Sequence, residues 1–380
     1  MKAILKFPLY KRTQPTNEIK DAGFLPEGSV IEVAEIVQGK AIDKISSWYK
    51  AEDGFYYWGG GITVSIDLEN KTSTTFFKTT VAAKETQAWF SDTLKIPVIW
   101  NDFEAFGENV TVAVLDSGCD KNNLDIMPVL ASEKFILYAD STQDILGHGT
   151  RCASLVGAHN NGNYTIGIAT KCKLLIGKIS NVGEINDFTS MVEGIRWAVS
   201  NGAEIISISF GKFTTDQQML AKFYDDITAI LTNKEVLIFA CCGNNYEPIP
   251  ASGILYPAAF SGSSNILKRP AIDKIISVGA TDNKNQLAIF NLLNDYTVIH
   301  APGENIRSYQ LTSIADLDSG TSMSTPIAAA IAVLAAGYLK KKNGRWNALT
   351  LKNIILATAD PLMNDPVRKI INPVKIFKAI

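Results

Sequence analysis

Gly320-Thr321-Ser322-Met323-Ser324-Thr325-Pro326 opens a run of small apolar residues, Ile327 to Ala336, that reads as a buried helix. A serine at the mouth of such a helix is held rigidly, beside backbone N–H groups that have no partner inside the helix. Pro326 fits only if the helix starts just before it, where a missing N–H breaks no bond. Gly320 lets another segment approach the backbone closely. Taken alone, the stretch favours an N-cap serine on a core helix. Two stretches upstream change that reading.

The first, Val110-Thr111-Val112-Ala113-Val114-Leu115-Asp116-Ser117-Gly118, has the pattern of a buried strand ending in a carboxylate and a glycine. The second, Gly147-His148-Gly149-Thr150, opens an apolar helix through Val156. Asp, His and Ser in that chain order form one of the arrangements of a nucleophilic triad. These three motifs closely resemble the subtilisin-like serine proteases (subtilases), and the resemblance runs from about Thr86 to about Ala359.

A peptide carbonyl is a poor electrophile and a neutral serine a weak nucleophile, so the reaction needs a base in contact with the hydroxyl. The resemblance implies that Ser322 Oγ attacks, that His148 takes its proton and returns it to the leaving amine, and that Asp116 holds the imidazole in the useful tautomer. A satisfied core histidine is the bland alternative for His148, and it suits His159 and His300 better, since only His148 sits in such a motif among the three histidines. By the same resemblance Asn244, after Gly243 at a strand end, donates to the developing oxyanion beside the Ser322 N–H. Asn245 competes for that role, and a plain turn asparagine is the structural alternative. Ser209-Phe210-Gly211 matches the family's substrate-pairing stretch, with Asn181-Val182-Gly183 as the opposite edge. Ala240 to Gly243 and the loop Tyr246 to Tyr256 are expected to wall the primary specificity pocket. Cys152 follows the catalytic-histidine motif as in the thiol-bearing, proteinase-K-like branch, where it is either a thiol-reagent target or a packed small hydrophobe, the second being favoured. No cofactor is required for the chemistry. Asp125 and the run Asn160-Asn161-Gly162-Asn163 resemble the family's calcium site, whose hard oxygen donors suit that ion. A plain Asn-Gly turn explains Asn161 equally well, and both Glu85 and Gln87 compete to complete the site.

The 380 residues suffice for one large and one small domain, and 46% hydrophobic with 19% charged residues describes a globular protein with a sizeable core. A net charge of −2 gives no argument for nucleic acid or an anionic membrane surface. Met1 to Tyr10 carries Lys2 and Lys6 and is broken by Pro8, so it does not read as a secretory signal. Ile327 to Leu339, the most apolar run, reads as too short to span a bilayer. The five cysteines (Cys119, Cys152, Cys172, Cys241 and Cys242) are odd in number and lack metal spacing, which reads as free thiols in a reducing cytoplasm.

From about Lys95 onward the apolar runs Val110–Leu115, Leu174–Ile179, Ile205–Phe210, Val236–Cys241 and Ile275–Val278 are continuous rather than alternating, which marks strands covered on both faces. Between them Phe188, Met191, Val192, Ile195 and Val199 recur at helical spacing, and Leu220, Phe223, Ile227 and Ile230 repeat the pattern. The expectation is a doubly wound α/β fold with a parallel sheet and its site at the carboxyl ends of the strands.

Residues 1–66 read differently. Short alternating runs separated by turn signals, with Asp53-Gly54 between two aromatic stretches as a hairpin, resemble bacterial Src-homology-3-like small barrels. Its aromatics are expected mainly to fill a small core, with one or two of Trp48, Tyr57 and Trp58 left exposed for a protein partner. Residues 67–85, polar and threonine-rich, read as a linker, and 86–380 as the peptidase domain. The expected function is an intracellular serine endopeptidase acting on a specific protein or peptide. A silent scaffold on the same fold and an esterase using the same triad are the rivals.

Overall fold

The structure, a computed structural model, describes residues 2–5, 9–10, 12–14, 24–25, 30–42, 45–58, 62–65, 89–123, 125–126, 129–136, 141–161, 165–181, 188–245, 254–262, 265–311 and 315–380. The expected linker, Gly183, Glu85 and Gln87 therefore lie outside the described residues. The chain divides into two compact units, Met1–Phe76 and Phe77–Ile380.

The first unit contains β1 (Lys2–Leu5), β2 (Leu9–Tyr10), β3 (Phe24–Leu25), β4 (Val30–Ile42), β5 (Ile45–Ala51), β6 (Tyr56–Trp58) and β7 (Ile62–Ser65). Five of these form one antiparallel sheet in the order β6-β5-β4-β1-β7. The long β4 breaks register at Val33/Glu35 and again at Gln38/Ile42, the bulges that let one strand bend. The Asp53-Gly54 turn joins β5 to β6, with Gly54 at φ +86°. Trp48 and Tyr57 are buried, in line with the expectation that the aromatics mainly fill a small core, so neither is an exposed binding residue. The Trp48 indole N–H donates to the Lys40 carbonyl at 3.1 Å, and the Tyr57 hydroxyl donates to Asp53 at 3.3 Å. A core this small has few apolar side chains to draw on, so the rings are used to fill it and their polar ends are tied to local acceptors.

The second unit starts with α1 (Trp89–Thr93), α2 (Ile96–Phe103), β8 (Thr111–Asp116) and β9 (Ala131–Lys134). It continues through α3 (His148–Gly157), β10 (Lys173–Lys178), α4 (Thr189–Ser200), β11 (Ile205–Ile208), β12 (Lys212–Phe213), α5 (Gln217–Leu231) and β13 (Leu237–Cys241). After β14 (Leu255–Tyr256), β15 (Ile275–Thr281) and β16 (Ile299–Pro302) comes a hairpin of β17 (Ile306–Tyr309) and β18 (Ala315–Asp318). The chain ends with α6 (Thr321–Asn343), α7 (Ala348–Ala357), β19 (Asp360–Pro361), β20 (Lys369–Ile370) and α8 (Pro373–Ala379). Nine strands form one sheet in the order β19-β20-β16-β15-β13-β11-β8-β10-β9, parallel except at the β19–β20 edge.

All five continuous apolar runs are strands of this sheet, and β8 shows why they do not alternate. Val112 and Val114 pack into the layer that holds α3 and α6, whereas Ala113 and Leu115 pack into the layer of α4 and α5. The α4 and α5 stripes bury Met191, Val192, Ile195, Leu220, Phe223, Ile227 and Ile230 against the sheet. Helix α6 is the centre of the opposite layer: its residues Met323 to Ala336 are buried without interruption. At 23 residues it is long and apolar enough to cross a bilayer, longer than the run read from the sequence, yet most of it is enclosed by protein.

Pro326 corrects the expected start of α6. The helix begins at Thr321, so the proline lies inside it and removes the N–H that the Ser322 carbonyl would accept. That carbonyl is instead satisfied by Ser209 Oγ at 2.8 Å and by Cys152 Sγ at 3.6 Å. The proline thus frees the backbone of the serine for bonds to β11 and α3.

Close backbone approach fixes the head of α3. A Cβ on Gly149 would lie 2.1 Å from the Gly118 carbonyl oxygen, and Gly118 itself is at φ +104°. The Gly149→Ala protein is expected to lose about 1–3 kcal/mol of stability through this overpacking. Urea denaturation checks it.

Candidate active site

Asp116 ends β8, His148 is the first residue of α3 and Ser322 the second residue of α6. His148 Nδ1 is 2.7 Å from Asp116 Oδ1, which also accepts the Ser117 N–H at 2.8 Å. Asp116 is buried, while the His148 side chain keeps 24% of its surface exposed. Burial disfavours the imidazolium, but the Asp116 carboxylate outweighs it, and the His148 pKa is raised well above 6.5. The Phe210 ring packs against the imidazole with centroids 4.9 Å apart. Cys152, one turn along α3, puts its sulfur 4.0 Å from His148 Nδ1 as well as on the Ser322 carbonyl, so one side chain touches both helix heads. Burial pushes its thiol up to about 11.

The Ser322 hydroxyl donates to the Ser209 carbonyl at 3.2 Å, and the pair is reciprocal because Ser209 Oγ donates to the Ser322 carbonyl. Among the described residues the hydroxyl makes no hydrogen bond to His148, and catalytic bonds of this kind are often long or poorly aligned until substrate is present.

Asn244 follows Gly243, which sits at φ +100° beyond the end of β13. Its Oδ1 accepts the Thr321 N–H at 2.9 Å and the Thr321 hydroxyl at 3.0 Å. With the carbonyl so anchored, Nδ2 points to the α6 N-terminus, 3.2 Å from where a Cβ on Gly320 would stand. Any side chain there would crowd the donor. The backbone N–H of Asn245, the competing candidate, donates to the Phe290 carbonyl at 2.7 Å. The Asn244→Ala enzyme is expected to lose about 10²–10³ in kcat with little change in KM, since the amide acts on charge formed only in the transition state. Steady-state kinetics on a peptide ester check this.

Ser209, Phe210 and Gly211 follow β11, and Gly211 lies against β14: a Cβ on it would meet Leu255 at 2.7 Å. Leu255 also abuts Gly243, 3.2 Å from where a Cβ on it would stand, so the residues that follow β11 and β13 are packed together beside Asn244. Ala240, expected in a pocket wall, is fully buried in the α4–α5 layer. Asn181 follows β10, with Oδ1 buried and without a hydrogen bond among the described residues. Residues 246–253 of the expected pocket loop lie outside the described residues.

Asp125 is a buried carboxyl, 3% exposed, and its carbonyl accepts the His159 N–H at 2.9 Å. This brings the loop after α3 alongside it, with Asn161 exposed two residues on. The donor set, a buried carboxylate with an asparagine in the adjoining loop, is of the hard-oxygen type that calcium takes.

Sequence reasoning missed Asp144. This buried carboxylate takes five hydrogen bonds: Oδ1 accepts from Ser117 Oγ and from the N–H groups of Leu146 and Gly147, and Oδ2 from the Thr150 N–H and hydroxyl. The Gly149 N–H donates in turn to Ser117 Oγ. The strand end carrying Asp116 and the helix head carrying His148 are thereby locked together. An aspartate four residues before the histidine was the available signal. Arg151 was missed as well. Its guanidinium reaches Asp318 at 3.3 Å and Ser308 at 3.3 Å, joining α3 to the β17–β18 hairpin that leads into α6.

Residues 107–371 match the model of the subtilase family, peptidase S8. The minor extracellular protease Epr of Bacillus subtilis is 31% identical over 248 residues, covering 65% of this chain and 35% of Epr, so this chain spans about a third of that relative's length. Subtilisin BL of Lederbergia lenta is 31% identical over 257 residues, covering 67% of this chain and 85% of that protein. Among solved structures, that of MycP1 with its N-terminal propeptide removed superposes with a TM-score of 0.60 over 77% of this chain and 96% of that one, at 21% identity, a likeness of fold. On the matched family model and these relatives, the chain belongs to the subtilase family.

Proposed function

We propose that the chain is a serine endopeptidase that cleaves a protein or peptide substrate through an acyl-enzyme on Ser322. The observation that carries this reading is the part-buried 2.7 Å contact between Asp116 and His148, at a helix head tied through Cys152 to Ser322. In the proposed cycle His148 Nε2 accepts the Ser322 proton as Oγ attacks the carbonyl carbon. Asp116 stabilises the imidazolium formed, and the proton then passes to the leaving amine. Asn244 Nδ2 and the Ser322 N–H receive the negative oxygen. Substrate backbone adds along Ser209 to Gly211 in extended form.

Labelling by a fluorophosphonate, read by intact mass, tests the proposal. One adduct on the full chain and none on the Ser322→Ala protein supports it, and no adduct on a folded full chain refutes it. Five free cysteines, four of them buried, favour a reducing compartment, although Epr is by its name extracellular. We further propose that activity is narrow or partner-dependent, because a general protease in a cell's interior would be harmful. Rapid unprompted digestion of unrelated denatured proteins would refute that. Calcium beside Asp125 is the proposed stabilising ion, and EGTA is expected to lower the melting temperature, since an ion bound only to the folded chain stabilises it.

A further inference from the structure

We propose that Leu255 occupies the space a substrate side chain would take next to the cleaved bond, so that the protein cuts after glycine or alanine and rejects large residues. The inference deepens the proposed peptidase function and rests on it. In the proposed cycle the carbonyl under attack lies between Asn244 Nδ2 and the Ser322 N–H, and the extended substrate runs along Ser209 to Gly211. The carbon that bears the side chain is one bond, about 1.5 Å, from that carbonyl carbon. Side chains stand roughly perpendicular to an extended backbone. Asn244 is joined to Gly243, so the side chain is directed between the segment that follows β11 and the segment that follows β13.

Each of those segments presents a glycine, Gly211 and Gly243, and two bare stretches of backbone would leave room for a ligand. The chain fills that room itself. Leu255, on β14, puts Cγ 2.7 Å and Cδ1 2.8 Å from where a Cβ on Gly211 would stand, and Cδ2 3.2 Å from where one on Gly243 would stand. Leu292 Cδ2 and Phe213 Cζ close on the Gly243 position too, at 3.3 and 3.5 Å. Leu255 is 5% exposed, so its isobutyl group is already enclosed by protein.

Leu255 is also held in place. Its N–H donates to the Tyr296 hydroxyl at 3.1 Å, and β14 pairs with β12 at Phe213↔Leu255 and Lys212↔Tyr256. Moving the side chain aside would expose apolar surface and leave a void between the two glycines. A hydrogen or a methyl group on the substrate residue asks for no such movement, whereas an isobutyl or benzyl group does. The penalty is that of overpacking and corresponds to about ten- to a hundredfold in kcat/KM.

Two peptidyl diphenyl phosphonates test this on the full chain, identical except for alanine or phenylalanine as the residue on the acyl side, with modification of Ser322 followed by intact mass. The alanine probe is expected to react about ten- to a hundredfold faster. In the Leu255→Gly protein the ratio is expected to shift toward phenylalanine by more than about tenfold, because the vacated volume takes up the ring, with Leu255→Ala intermediate. A parental chain that reacts as fast with the phenylalanine probe overturns the proposal, whether or not the variants fold. So does an unchanged ratio in either variant, provided a fluorophosphonate still labels it. Reaction with neither peptide probe, in a parental chain that the fluorophosphonate does label, overturns it as well. A folded parental chain that the fluorophosphonate fails to label refutes the peptidase function, and this inference falls with it.

Discussion

The Ser322→Ala enzyme is expected to lose on the order of 10⁶ in kcat on a fluorogenic peptide, the size that this loss has in subtilisin, with its melting temperature almost unchanged. The two halves of the expectation have different causes. The Ser322 hydroxyl makes one bond, to the Ser209 carbonyl at 3.2 Å, in a part-buried position where water can replace it. The backbone contacts that seat α6 belong to the serine's carbonyl and survive truncation: Ser209 Oγ and Cys152 Sγ still reach it. Catalysis, in contrast, has no route around the missing oxygen except direct attack by water in the oxyanion site. Adding His148→Ala to Ser322→Ala is expected to cost almost nothing more, because the base has no nucleophile left to serve. A serine variant that keeps more than about 1% of the parental kcat would show that another group forms the acyl-enzyme.

Much of this site is legible in the chain because residue type and local context carry it. Asp116 ends a strand apolar on both faces, His148 stands between two glycines at a helix head, and Ser322 opens the most apolar helix. Periodicity and turn chemistry find those local contexts, and the roles in them come from the resemblance of the three motifs, taken together, to the subtilases. What the chain hides is what only tertiary packing creates. Asp144 takes four of its bonds from the turn it opens, from Leu146, Gly147 and Thr150, and only the fifth, from Ser117 Oγ, shows that it ties the end of β8 to the head of α3. The Phe210 ring is a pairing-strand residue by sequence and a support for the imidazole in space. Pro326 reads as a start signal because proline is unfavourable inside helices, and here the freed Ser322 carbonyl finds two outside partners, which is why the proline is tolerated. In the first unit, aromatic residues at strand spacing do not say which face is inward. The closed network of Trp48 with Lys40, and Tyr57 with Asp53, does.

The Asp116→Asn enzyme is expected to lose about 10⁴ in kcat/KM near neutral pH and to shift its pH profile toward acid. His148 must be neutral to accept a proton, so the acid limb of kcat/KM follows its pKa in the free enzyme. Burial alone would lower that pKa, and the carboxylate at 2.7 Å reverses the effect, placing the parental limb well above pH 6.5. Asp116 is the largest of the groups that raise the pKa, and Cys152 adds in the same direction. An amide in place of the carboxylate removes the largest opposition to desolvation, and the limb moves to lower pH. Stability moves the other way. A histidine whose folded pKa is raised contributes stability that is fully present below its unfolded value and is lost as pH rises through the folded value. The parental enzyme is therefore expected to exceed the Asp116→Asn variant in melting temperature most at acid pH, where both are least active, with the gap narrowing as activity rises. A limb that stays in place in the variant, or a stability gap that widens with pH, would show that the charge facing His148 comes from a group other than Asp116.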